Sequence, residues 1–223
     1  MAAEMQQTHT MKLKLPVWLG ALSLLTIFGV PAMATEEPAF TATLKEGDFE
    51  VRSYPALVAA EVSVTGTRNE ASNAGFKLLA GYIFGGNTRK QSIAMTAPVV
   101  QARAQNASEN IAMTAPVIQT SVPGQTGEWT VRFIMPSSYT MDTLPTPNNS
   151  KVQLMQLPPA RFAAVTFSGL AREDDVALRT AELNAYMASH SLRPAGPPAL
   201  ARYNPPWTPW FMRRNEVLIA LAP

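Results

Sequence analysis

Side chains that do covalent chemistry are scarce in this chain. There is no cysteine, so thiolate nucleophiles, disulfides, iron–sulfur clusters and thiolate zinc sites are excluded together. Of the two histidines, His9 lies in the N-terminal stretch and His190 in the body of the protein. A histidine-based triad would have to use His190, and nothing in the sequence marks its serine or acid partner. The signatures G-x-S-x-G, H-E-x-x-H and G-x-x-x-x-G-K-[ST] are absent, which leaves hydrolytic and phosphate chemistry without footing. Glu173, Asp174 and Asp175 open a helical pattern, where carboxylates favour the helix dipole rather than acid–base work. His190 closes that same pattern, and an imidazolium is stabilised there for the same reason; a metal-ligand role is its weaker reading. The residues point to a binding protein and not to an enzyme.

The 223 residues are 47% hydrophobic and 15% charged, with a net charge of +2, a globular composition without the basic footprint of a nucleic-acid binder. Lys12 and Lys14 precede the apolar run Leu15 to Val30, then Pro31 and Ala32-Met33-Ala34. A positive region, a short apolar region and A-x-A read as a secretory signal peptide over 1–34, with an uncleaved anchor as the alternative. The expected location is outside the cytoplasm, in the periplasm or secreted, with membrane contact only through this N-terminus. Residues 35–48 then read as a linker, and 49–223 as the folded domain.

Two internal repeats organise that domain. "FEVRSYPALVAAEVSVTG" (49–66) falls on "VQLMQLPPARFAAVTFSG" (152–169) at a shift of 103, matching Pro55 with Pro158 and Gly66 with Gly169. Each copy reads as strand, proline break, strand, glycine, and a helical pattern follows each, over 68–84 and 171–190. The first helix gathers Phe76, Leu79, Ala80 and Ile83 on one apolar face and ends at Gly85-Gly86-Asn87. Further strands follow: after the first helix "SIAMTAPVVQ", "NIAMTAPVIQT" and "EWTVRFIMP", and after the second "ALARYNPP" and "RNEVLIAL". The pattern predicts an α+β domain of two similar halves, a pseudo-symmetric antiparallel sheet or distorted barrel flanked by two helices. The heptapeptide "IAMTAPV" occurs at 93–99 and again at 111–117, and it reads as a strand pair with Met95 and Met113 as gap-fillers.

Taken together, "YIFGGN", "IAMTAPV", "WTVRFIMPSSYTMDTLPTPNN", "LPPARFAAVTFSG" and "ARYNPPWTPWFMRRNEVLIAL" resemble the SOUL/haem-binding protein family, from about Phe49 to Leu221. The resemblance implies non-covalent binding of a tetrapyrrole, haem or porphyrin, in a cleft between the first helix and the loop before the last strand. Those positions match Phe76, Leu79, Ala80 and Ile83 on the helix, and Trp207 to Phe211 in the loop, with Trp207, Trp210 and Phe211 as rigid apolar walls. Arg213, Arg214, Arg89 and Lys90 are candidate partners for the propionates. Some members ligate iron through a histidine where this chain has Ser53, and others carry a lysine where it has Thr208. Tyr82 and Met95 are further axial candidates beside His190. The implied picture is apolar contact and propionate pairing with weak or no axial ligation, in a carrier or scavenger. The alternatives are a general module for apolar ligands or partners and an enzyme acting on bound tetrapyrrole. The sequence says nothing of oligomeric state.

Overall fold

The computed structural model describes residues 35–89 and 108–223. The expected signal peptide and the first heptapeptide copy, with Met95 and Lys90, lie outside the described residues. Residues Thr35–Pro223 form one compact unit.

Among the described residues, eleven strands and two α-helices follow one another as β1 (Thr41–Glu46), β2 (Phe49–Tyr54), β3 (Leu57–Thr65), α1 (Arg68–Ile83), β4 (Asn87–Thr88), β5 (Val117–Ser121), β6 (Glu128–Ile134), β7 (Thr146–Pro147), β8 (Gln153–Leu157), β9 (Ala160–Ser168), α2 (Glu173–Ser189), β10 (Ala199–Arg202) and β11 (Arg214–Ala220). Nine strands make a strongly curled antiparallel sheet in the order β1-β2-β9-β11-β10-β5-β6-β3-β8, and β4 pairs with β7 separately. Leaving β1 aside, the order is symmetric about the β10–β5 junction. On one side β9-β11-β10 belong to the second repeat, on the other β3-β6-β5 to the first. The leading strand of each half is exchanged: β2 pairs with β9, and β8 with β3. That exchange explains why each repeat contains a proline break, because Pro55 and Pro158 release one strand from its successor so that the two can join different partners.

The matched glycines behave alike. Gly66 has φ +127° and Gly169 φ +118°, a backbone region that side chains rarely adopt, and each turns the chain from the long strand towards its helix. Thr67 then caps α1, with Glu70 reaching back to the Thr67 backbone. At α2 the Arg172 backbone donates to Asp175 Oδ2 (3.1 Å), so the acidic cluster serves the helix start.

Alternation along the strands sends one set of side chains to the helices and the other to the concave face. Val51, Val165, Val217 and Ile219 pack with Leu183 and Met187 under α2. Val62, Val131 and Phe133 pack with Leu79, Tyr82 and Ile83 under α1. A third cluster, Ala164, Ala199, Ala201 and Leu218, faces the other way.

Two expectations are corrected. Residues 35–48 are not a plain linker, since they contain β1, which pairs along β2. The second heptapeptide copy is mostly not strand: the ladder starts only at Val117, its last residue. Upstream, Ile111 is buried under α1 and Thr114 bonds the Ile134 carbonyl, so the segment is spent on core contacts rather than on a ladder. Met113 packs against the α1 core as a gap-filler.

Candidate functional site

The face of α1 that meets the sheet is rotated from the one that apolar periodicity marks. Its buried residues are Ala71, Ser72, Gly75, Leu79, Tyr82 and Ile83. Gly75 sets this: a Cβ there would stand 2.5 Å from the Val131 side chain, so α1 comes as close as it does because position 75 has none. Glycine adds no apolar mass, and a hydrophobic pattern passes over it. Leu79 and Ile83 are consequently sealed in the core, at 0% and 1% exposure, and present no surface to a ligand. Phe76 and Ala80 lie at the flank of the buried stripe, half-buried, with Phe76 edge-on to Phe133 at 5.6 Å.

The loop between β10 and β11 carries the exposed aromatics. Trp207, Trp210, Phe211 and Met212 are 60–83% exposed, and Trp210 and Phe211 stand edge to face at 5.7 Å. Four large apolar side chains in six residues, all open to solvent, cost hydration with no core in return. Arg213 makes this loop definite. Its Nε donates to the Thr208 carbonyl at 2.8 Å and its Nη2 to that of Pro206, so much of its guanidinium is used in holding the loop.

The arginine that sequence reading passed over is Arg202, the last residue of β10. It lies on the helix side of the sheet, and its Nη1 donates to Ser72 Oγ on α1 at 2.6 Å. Burial lowers its pKa, and the neighbouring charges of Arg68 and Arg213 lower it further, with Glu173 opposing. Among the described residues Arg202 makes no ion pair with a carboxylate. Arg68, in the first turn of α1, is engaged: it bonds Glu173 of α2 at 3.1 Å and lies 4.6 Å over the Trp129 ring. Below it Gln119, 2% exposed, donates to the Arg68 carbonyl while its Oε1 has no partner. Where α1, β10 and the aromatic loop meet, positive charge is thus in excess and partly desolvated. No sequence signal distinguishes Arg202 from an ordinary strand-end arginine.

The other candidates are committed elsewhere. Arg89 bonds Glu109 Oε2 at 2.7 Å, and Arg214 pairs with Glu37 and lies 3.6 Å over the Tyr203 ring. Tyr82 is buried and donates to the Pro145 carbonyl. His190 has both ring nitrogens occupied: Nδ1 lies 2.9 Å from the Tyr186 carbonyl and 3.0 Å from Ser189 Oγ, and Nε2 3.2 Å from Glu46 Oε1. The Tyr186 carbonyl, with Glu46, raises its pKa, as an imidazolium at a helix end requires. No group of three metal-ligating side chains occurs among the described residues.

The concave face holds a cavity of about 300 Å³, lined mainly by apolar side chains such as Phe40, Tyr54, Ile118, Phe162 and Leu218. Beside it, Arg52 and Glu216 form a buried bidentate pair (2.6 and 3.1 Å), and the Tyr203 hydroxyl donates to Glu216. This volume is at the lower end of small-molecule sites, roughly 300–1,000 Å³.

Comparison with solved structures shows the fold. The C-terminal domain of EcmrR matches with a TM-score of 0.53 at 8% identity, over 82% of this chain and 98% of that one. An uncharacterized conserved protein from Listeria innocua matches with a TM-score of 0.50 at 12% identity, over 78% of this chain and 92% of that one. No curated protein sequence matches. The model of the SOUL heme-binding protein family matches residues 35–107 and 102–220. With nearly the whole described unit matched, and two pseudo-symmetric halves behind the match, this chain belongs to the SOUL heme-binding protein family.

Proposed function

We propose that the protein is a periplasmic or secreted carrier that binds haem or porphyrin non-covalently, on the helix side of the sheet where α1, β10 and the aromatic loop meet. Trp207, Trp210 and Phe211 offer rigid apolar surface to the macrocycle, and the flank of α1 at Phe76 and Ala80 adds to it. Arg202, supported by Arg213, receives a propionate; a carboxylate there relieves the repulsion that Arg68 and Arg213 exert on it. The single observation that carries this reading is the excess of partly desolvated arginine beside an exposed aromatic run, in a chain of a heme-binding family.

The residues fit a tetrapyrrole held by its rim and its face rather than by its metal. His190 is engaged at both nitrogens and Tyr82 is buried and bonded, so neither stands ready as an axial ligand. Metal-free porphyrin should therefore bind about as well as hemin. The experiment is a titration of the Thr35–Pro223 unit with hemin and, separately, with protoporphyrin IX, followed by absorbance and tryptophan quenching. One-to-one saturation by both supports the proposal. Saturation by hemin alone points to an axial ligand, and by neither to a module for other apolar ligands.

A further inference from the structure

The cavity on the concave face is walled on one side by the segment that precedes β1. Glu36 ties this segment to the first half: the Glu36 carbonyl accepts from Ala115 N–H at 2.9 Å, and Glu36 Oε1 from Ser137 N–H at 2.8 Å. The next residue, Glu37, pairs with Arg214 on β11 in the second half. Phe40 then packs on Tyr54, ring centres 5.4 Å apart, with the Arg52 guanidinium over the Phe40 ring, 4.5 Å from its centre. Residues 36–40 therefore bridge the two halves as a strap, and Glu37, Pro38 and Phe40 face the cavity.

Charge at this wall is matched pair by pair. Arg132 is paired with Glu61, Arg214 with Glu37 and Arg52 with Glu216. A charged guest would leave water and find no free counter-charge. Two hydroxyls remain available: Tyr54 Oη accepts from Arg52 at 3.4 Å, and neither it nor Thr120 Oγ1 donates a hydrogen bond among the described residues. The rest of the lining is aromatic, aliphatic and proline.

We infer that this cavity is a second binding site, separate from the tetrapyrrole surface, for a compact uncharged aromatic molecule with one hydrogen-bonding group, and that the 36–40 strap is its retaining wall. The two sites are on opposite faces of the sheet, so the inference stands or falls apart from the tetrapyrrole reading. The ligand is smaller than a macrocycle, and its polar atom pairs with the hydroxyl of Tyr54 or Thr120.

The test uses the Thr35–Pro223 unit and two dyes with one skeleton: N-phenyl-1-naphthylamine, which is neutral, and its sulfonated relative 1-anilinonaphthalene-8-sulfonate. The neutral dye should saturate one-to-one, and the sulfonate should bind at least about tenfold more weakly. Ala199→Phe and, separately, Ala160→Phe fill the cavity from two strands; each should weaken the neutral dye at least about tenfold while leaving hemin titration unchanged. Circular dichroism and melting confirm which variant is folded, and two positions guard against one misfolding. Glu36→Ala with Glu37→Ala should speed dye release. Non-saturable binding, equal affinity for both dyes, or unchanged affinity in the folded filled variants overturns the inference. Displacement of the dye by one equivalent of hemin would also overturn it, because the two ligands would then share one site. Failure of hemin to bind, with the dye result intact, would remove only the tetrapyrrole proposal.

Discussion

Arg202 Nη1 donates to Ser72 Oγ at 2.6 Å, joining the end of β10 in the second half to the first helix of the other half. The bond gives a guanidinium one neutral partner in a place where Arg68 and Arg213 already crowd it with like charge. Structural arginines are ordinarily matched to a carboxylate, as Arg52 is to Glu216 here.

Arg202→Gln should weaken protoporphyrin IX and hemin by roughly ten- to a hundredfold, in keeping with loss of a charge-assisted hydrogen bond of roughly 1.5–3 kcal/mol. The dimethyl ester of the same porphyrin, which has no carboxylate to pair, should bind the variant and the wild type alike. Parallel titrations of acid and ester check it; equal weakening of both would assign Arg202 a structural role only.

Leu79→Ala should cost about 2–5 kcal/mol of stability, since Leu79 is fully enclosed under α1. Gly75→Ala should be comparably harmful, because the added Cβ must displace Val131. Urea melts measure both. Tetrapyrrole affinity, compared where the variants remain folded, should stay close to wild type, in contrast to Trp210→Ala, which should lower affinity with little effect on the melt.

Arg52→Met should destabilise by about 3–5 kcal/mol, because it leaves the Glu216 carboxylate buried with no cation. Burial by itself would lower the Arg52 pKa, and the Glu216 hydrogen bonds and charge more than reverse that, so the net direction is upward. Arg52→Met with Glu216→Leu should recover much of the loss. A double-mutant cycle by chemical denaturation provides the coupling.

His190 predicts a pH dependence. Its folded pKa lies above the ordinary 6.5, chiefly through the Tyr186 carbonyl. The folded state therefore holds the proton more tightly than the unfolded one. The resulting stabilisation is complete below the unfolded pKa and disappears as pH rises through the folded pKa. His190→Asn should melt lower than wild type at about pH 5.5 and nearly level with it at about pH 8.5. The hemin spectrum should be unchanged, as expected for a residue that does not ligate iron.

The proline breaks, the glycines at 66 and 169 and the two amphipathic stretches made the pseudo-symmetric α+β fold legible, because turn chemistry and periodicity are local properties of the chain. The helix start at 173–175 and the role of His190 at the helix end were legible for the same reason. The exchange of β2 and β8 between the halves was not, since pairing partners are chosen by the whole sheet and not by either strand.

The candidate site divides along the same line. The sequence by itself determined that the 207–211 loop is rich in aromatics and that thiolate chemistry is absent, since both follow from residue type; that the aromatics stand open to solvent came only with the fold. Only the tertiary structure decided that Leu79 and Ile83 face inward, because Gly75 lets α1 settle on Val131 and so rotates the buried stripe. Only it brought Arg202 against Ser72, 130 residues away in the chain, and set the 36–40 strap between the two halves. A local pattern reports how a segment is built; which charges end up unpaired, and which cavity remains, depends on contacts between segments far apart in the chain.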